Sequence, residues 1–139
     1  MKTEENKQLV KKIFNEAFNN RNLSAIDSLV GDTYVNRSMP GSNKGSAGLK
    51  EILQQFTGAF PDMKINVEHV IGDDNMVATH GYWTGTNQGS FMGMPATNKQ
   101  VRIEYIDLWK IENGKAVENW VQMDMMGMMQ QLGMMPQPA

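Results

Sequence analysis

Hydrophobic residues recur along this chain with two periods, and the change falls near residue 62. Over residues 4–20, Leu9, Val10, Ile13, Phe14, Ala17 and Phe18 stand at helical spacing, the apolar stripe of one amphipathic helix. The run Asn19-Asn20-Arg21-Asn22 ends it. Ser24 is a good N-cap for a short second helix that turns Ala25, Ile26 and Leu29 inward. Residues 33–36 read as a short strand or an irregular bridge. Residues 39–48, with Pro40, Gly41, Ser42, Gly45 and Gly48, read as a loop. A third helix from about 47 to 60 buries Leu49, Ile52, Leu53, Phe56 and Phe60, and Pro61-Asp62 stops it.

Beyond this point the period becomes two, the signature of strands. Ile65 and Val67 begin one strand, and Gly72-Asp73-Asp74-Asn75 turns the chain into a second over 76–84. Residues 87–97 hold Gly89, Gly93 and Pro95 and form a loop. Strands over 100–111 and 116–124 flank Glu112-Asn113-Gly114-Lys115, an Asn-Gly hairpin turn. Residues 127–135 read as a short helical tail, and 136–139 fray. Three helices followed by four strands in two hairpins make an α+β domain spanning 1–139. Its curved antiparallel sheet wraps on the helices as a cone with an internal pocket.

The Asn-Gly turn also predicts a register. With Glu112 opposite Lys115, Asp107 falls opposite Trp120, Tyr105 opposite Gln122, and Ile103 opposite Asp124. One face then carries Ile103, Tyr105, Asp107, Trp109, Glu118, Trp120, Gln122 and Asp124, while Ile106, Leu108, Val117, Val121 and Met123 share the other. Aromatics, an amide and carboxylates on one face describe a pocket lining. A carboxylate in such a surround has a raised pKa, because burial disfavours its charged form. It can then act as an acid or base beside a carbonyl. Asp124 and Asp107 are the candidate catalytic groups, with Tyr105, Trp120, Gln122 and His80 as candidate substrate contacts. The competing roles are structural: Asp124 as a helix cap, Asp107 as an ion partner of Arg102 or Lys110, and His80 as a hydrogen-bonded strand residue.

Composition narrows the classes. A net charge of −2 without a Lys/Arg cluster argues against a nucleic-acid partner. The longest apolar runs are far short of a membrane span, and the N-terminal residues lack the apolar stretch of a signal peptide. There is no cysteine, hence no disulfide or thiolate chemistry, and the profile suits a cytoplasmic protein. The two histidines, His69 and His80, do not stand at a metal-ligand spacing. Zinc chemistry is therefore not expected, although the fold can still assemble a histidine–carboxylate site, and with no phosphate-binding glycine motif nucleotide binding has no support in the sequence. Thirteen methionines, crowded toward the C-terminus, serve as core and interface filling or as an adaptable binding surface.

Three segments carry a family resemblance: Ala59-Phe60-Pro61-Asp62; Gly85-Thr86-Asn87-Gln88-Gly89 with Gly93-Met94-Pro95-Ala96-Thr97; and 120–124 with Gln130-Gln131-Leu132-Gly133. With them the chain resembles the SnoaL-like polyketide cyclases, also called ester cyclases, of the nuclear transport factor 2-like superfamily. The resemblance implies the cone fold, a homodimer or larger homo-oligomer, and aldol ring closure of an aromatic polyketide without metal or organic cofactor. It also implies an acid/base aspartate on the last strand, matched by Asp124, with Asp107 or Tyr105 assisting. Asn36 and Asn87 stand where family sequences often carry histidine and are added to the substrate contacts. The expectation is an acid/base enzyme acting on an apolar, carbonyl-containing small molecule. A ligand-binding module without chemistry, and a dimerising domain whose pocket its own side chains fill, are the alternatives.

Overall fold

A computed structural model describes residues 2–39 and 44–134. The expected fraying of 136–139 and the loop residues Pro40, Gly41 and Ser42 lie outside them. The chain opens with α1 (Lys2–Lys12), whose first turn carries Glu4 and Glu5 and whose last turn carries Lys11 and Lys12. These charges complement the helix dipole. The helix then widens into a π-helical segment, Ile13–Asn19, closed by the Asn20 N–H on the Asn15 carbonyl at 2.9 Å. Within it Phe14 and Phe18, four residues apart on one face, pack tilted against each other with ring centres 5.8 Å apart.

Helix α2 (Leu23–Leu29) follows. Its N-cap is Asn22 rather than Ser24, and no side chain caps it; the Ser24 hydroxyl donates to Asn22 Oδ1 instead. Strand β1 (Val30–Asn36) and helix α3 (Ser46–Ala59) precede four more strands: β2 (Lys64–Asp73), β3 (Met76–Thr86), β4 (Gln100–Glu112) and β5 (Lys115–Met123). Helix α4 (Met125–Gln131) comes last.

The five strands form one sheet in the order β1-β5-β4-β3-β2, curved but not closed into a barrel. The expected hairpins β2–β3 and β4–β5 are present. The fifth strand, β1, pairs parallel to β5 through an irregular register, Val30 with Ala116 and Val35 with Glu118. Two bulges bend the sheet. Glu68 is the extra residue in β2, between the pairs Val67–Gly81 and His69–His80. Val117 is the extra residue in β5, between Ile111–Ala116 and Lys110–Glu118. A bulge reverses the facing of every residue beyond it.

The core fills the space between the inner face of the sheet and the helices. Ile13, Phe14 and Ala17, with Leu49, Leu53 and Phe56 of α3, pack on Trp83, Ile103, Tyr105 and Trp109. Where β5 ends, α4 takes over its neighbour: Gln131 accepts from the Arg102 N–H at 2.8 Å and donates to the Arg102 carbonyl at 3.0 Å.

Candidate active site

The inner face of β4 presents Ile103, Tyr105, Asp107, Trp109 and Ile111, all buried. Among them Asp107 is a carboxyl only 4% exposed. Register places Thr79 of β3 on one side of it and Val121 of β5 on the other. The Thr79 hydroxyl donates to Asp107 Oδ1 at 2.5 Å, and Trp109 Nε1 donates to Oδ2 at 2.9 Å. Thr79 Oγ1 also lies 3.3 Å from the Tyr105 hydroxyl. Thr79 has a single proton to give, so when it donates to an ionised Asp107 the Tyr105 hydroxyl is the donor of the next bond.

Burial pushes the Asp107 carboxyl up to about 7, against the opposing pull of the bonds from Thr79 and Trp109. Near neutrality such a group is divided between acid and base. Burial likewise holds the Tyr105 and Tyr34 phenols above their ordinary value, so both remain donors.

Asp107 faces a cavity walled by Phe14 and Phe18 of the π-helical segment, Ile52 and Phe56 of α3, and Trp83 and Trp109 of the sheet. Phe14 stands edge-on to Trp109 at 5.9 Å. Trp83 is packed edge-on against Phe60 at 5.0 Å, and its buried Nε1 has no hydrogen-bond partner among the described residues. A second polar group lines the wall. Asn36 Nδ2 donates to Asn119 Oδ1 at 3.3 Å, and Asn119 Nδ2 donates to the Leu108 carbonyl at 3.1 Å. The cavity leaves about 50 Å³ open to the centre of a water-sized sphere. Four of its lining residues, Met39, Phe56, Val121 and Met123, also line a wider groove outside it.

Of the residues expected at the site, Asp107, Tyr105 and Asn36 converge on the cavity. The others do not. The bulge at Val117 shifts β5 by one residue, so Tyr105 opposes Met123 and Asp107 opposes Val121, in place of the expected Gln122 and Trp120. Trp120 and Gln122 therefore leave the inner face and border the outer groove. Asp124 lies beyond the end of β5, is exposed, and caps α4 by accepting from the Gly127 N–H at 2.9 Å. His80 is on the outer face of the sheet, its Nδ1 3.0 Å from His69 Nδ1 and its Nε2 3.1 Å from Glu104. Asn87 is fully buried but holds the β3–β4 loop together: its Oδ1 accepts from Thr97 N–H at 2.9 Å and its Nδ2 donates to the Gly89 carbonyl at 2.8 Å.

Sequence reasoning missed Thr79 and Asn119. The parity of Val77, Thr79 and Trp83 within β3 carried the signal for Thr79. Asn119 shares its parity with Val121 and Met123, which the unbulged register put on the wrong face. Among the described residues no three or more His, Asp or Glu side chains gather as metal ligands would. No helix among them is long and apolar enough to cross a membrane.

An open sheet wrapped on helices around a cavity with one buried carboxyl is the nuclear transport factor 2-like architecture. Within that class the chain belongs to the SnoaL-like polyketide cyclase family, whose model matches residues 8–132. Among solved structures it is similar to TsrD from Streptomyces laurentii, at a TM-score of 0.88 and 20% identity, covering 97% of this chain and 99% of that one. AclR from Streptomyces galilaeus, a proposed hydroxylase, aligns at a TM-score of 0.82 and 28% identity over 96% of this chain and 99% of the other. IdmH from Streptomyces antibioticus, a proposed polyketide cyclase, aligns at 0.79 and 25% over 92% and 98%. A comparison with proteins of curated function found no match.

Proposed function

We propose that the protein is an acid/base enzyme that acts on an apolar, carbonyl-containing small molecule, with Asp107 as the group that moves the proton. The observation that carries this reading is a buried carboxyl, held near 7, facing an aromatic cavity. In its ionised form Asp107 takes a proton from a carbon next to the carbonyl. The C–H electron pair passes into the enolate, and the Tyr105 hydroxyl, turned from Thr79, donates to the enolate oxygen. In ring closure the enolate carbon attacks a second carbonyl of the same molecule, and the proton held on Asp107 passes to the new alkoxide. Isomerisation returns the proton to a different carbon instead. AclR and IdmH carry names for different reactions, so the site's parts rather than the family decide among these.

The test is exchange of the acidic carbon-bound protons of 2-tetralone, followed by proton NMR in deuterium oxide. Asp107→Asn should slow the catalysed exchange about 100-fold or more. Asp124→Asn keeps a capping side chain and should leave the rate unchanged. Exchange that survives in Asp107→Asn, or is lost in Asp124→Asn, overturns the assignment.

A second reading has its own support: both oxygens of Asp107 already accept bonds from within the protein, as in a site that binds without reacting. It predicts that 2-tetralone binds and does not exchange.

The protein also pairs with a second copy in this proposal, through the outer face of the sheet. There Ile71 is 67% and Ile106 58% exposed, next to the partly exposed Leu108 and Ala78. Light scattering should give a dimer for the wild type and a monomer for Ile106→Glu; a monomeric wild type refutes the pairing.

A further inference from the structure

The chain makes the same tight turn twice. In the β4–β5 hairpin the two central residues are Asn113, φ 52°, and Gly114, φ 75°. At the tip of the β3–β4 loop they are Met92, φ 53°, and Gly93, φ 78°. There the flanking residues Phe91 and Met94 exchange both backbone hydrogen bonds at 2.9 Å. Both turns need a left-handed residue first, a position for which asparagine is strongly preferred. The first turn has it. The second carries methionine, which has no polar group to satisfy the backbone locally.

The other non-glycine residues with positive φ among those described are explained. Asp74, Asn98 and Asn113 belong to the types that tolerate this region. Arg21 is held by its guanidinium on the carbonyls of Phe18, Pro61 and Met63. Met92 has no such account, and it is 67% exposed. A local rule broken without a local gain marks a position kept for something else.

Met92 lines the groove outside the cavity together with Met39, Met123, Met125, Trp120 and Phe91. By the measure that gives the cavity about 50 Å³, the groove has about 710 Å³. A ligand larger than the cavity extends past the shared residues Met39, Phe56, Val121 and Met123 into this groove. We infer that Met92 is a specificity-determining residue which covers the apolar body of the substrate while only its carbonyl end enters the cavity. The inference rests on the cavity being the ligand site. The unbranched thioether suits such a cover, because it reshapes around ligands of different outline.

The experiment measures binding of 6-propionyl-2-dimethylaminonaphthalene, an apolar aromatic ketone whose emission moves to the blue when it leaves water, alongside thermal unfolding. Met92→Asn makes the turn identical to that at Asn113-Gly114. It should raise Tm by about 2–5 °C and weaken binding about tenfold. Met92→Leu, which keeps the apolar contact, should bind within about twofold of the wild type. Wild type that takes up no ketone overturns the cavity reading and this inference with it. Wild type that binds, with Met92→Asn binding equally well, overturns this inference alone.

Discussion

Replacing Asp107 with asparagine should remove a pH dependence of stability that the wild type carries. The carboxyl sits at about 7 in the folded protein, against an ordinary value of 3.8. Between these values the folded state binds a proton that the unfolded state has lost. Stability therefore falls as pH rises through this window, is fully present below about 4, and levels off above 7. Each unit of difference is worth about 1.36 kcal/mol, so the wild type should lose ~4 kcal/mol between pH 4 and pH 8 through this group. Asparagine is isosteric and always neutral. Its oxygen can accept from Trp109 Nε1 and its amide can donate to Thr79 Oγ1, so it keeps both of the bonds that Asp107 makes.

Urea unfolding of both proteins across pH 4–8 is the assay. The difference between them isolates the site, because carboxyls held low elsewhere, such as Asp62 on the backbone N–H and hydroxyl of Thr86, are common to both. The variant should gain on the wild type by about 1.4 kcal/mol per pH unit in the middle of the window. Parallel curves would refute the reasoning, since they would mean that Asp107 titrates alike in the folded and unfolded chain.

Two further substitutions probe the frame around the site. A Cβ on Gly81 would lie 2.0 Å from the Asn66 carbonyl oxygen, so Gly81→Ala should cost about 3 kcal/mol in denaturant unfolding by forcing β2 away at its bulge; a cost below 1 kcal/mol would contradict the close approach. Asn87→Ala strands the Thr97 N–H and Gly89 carbonyl that Asn87 satisfies. It should cost on the order of 3 kcal/mol while leaving the Asp107 pH dependence intact, as paired unfolding curves at pH 5 and pH 8 will show.

Much of the architecture is readable in the sequence because the periodic segments are long. The apolar spacing of α3 and the Asn113-Gly114 turn each fix an element without help from the rest of the chain. Strand β1 is harder: Gly31 and Asp32 interrupt its alternation, and its parallel partner β5 is remote in sequence. The site is harder still. Asp107, Tyr105 and Asn36 were legible as pocket residues, yet the pocket's opposite wall was not. Ala116 and Val117 are both apolar, so nothing in their chemistry says which one steps out of the ladder. That one residue exchanges Trp120 and Gln122 for Asn119, Val121 and Met123 at the cavity. It also leaves Asp124 to the cap of α4.

The Gln131 amide on the Arg102 backbone has a consequence for how the molecule behaves in company. A strand whose neighbour stops short leaves bare N–H and C=O groups, and bare groups recruit strands from other chains. Past Glu104, whose carbonyl accepts from the Asp124 N–H, β4 has no β5 beside it, and that stretch carries Val101 and Ile103, a good template for such recruitment. The glutamine supplies one donor and one acceptor in the spacing a strand would. Helix α4 thus acts as a sentry on this open stretch of β4, and fraying it would expose a template on which copies of the chain can aggregate.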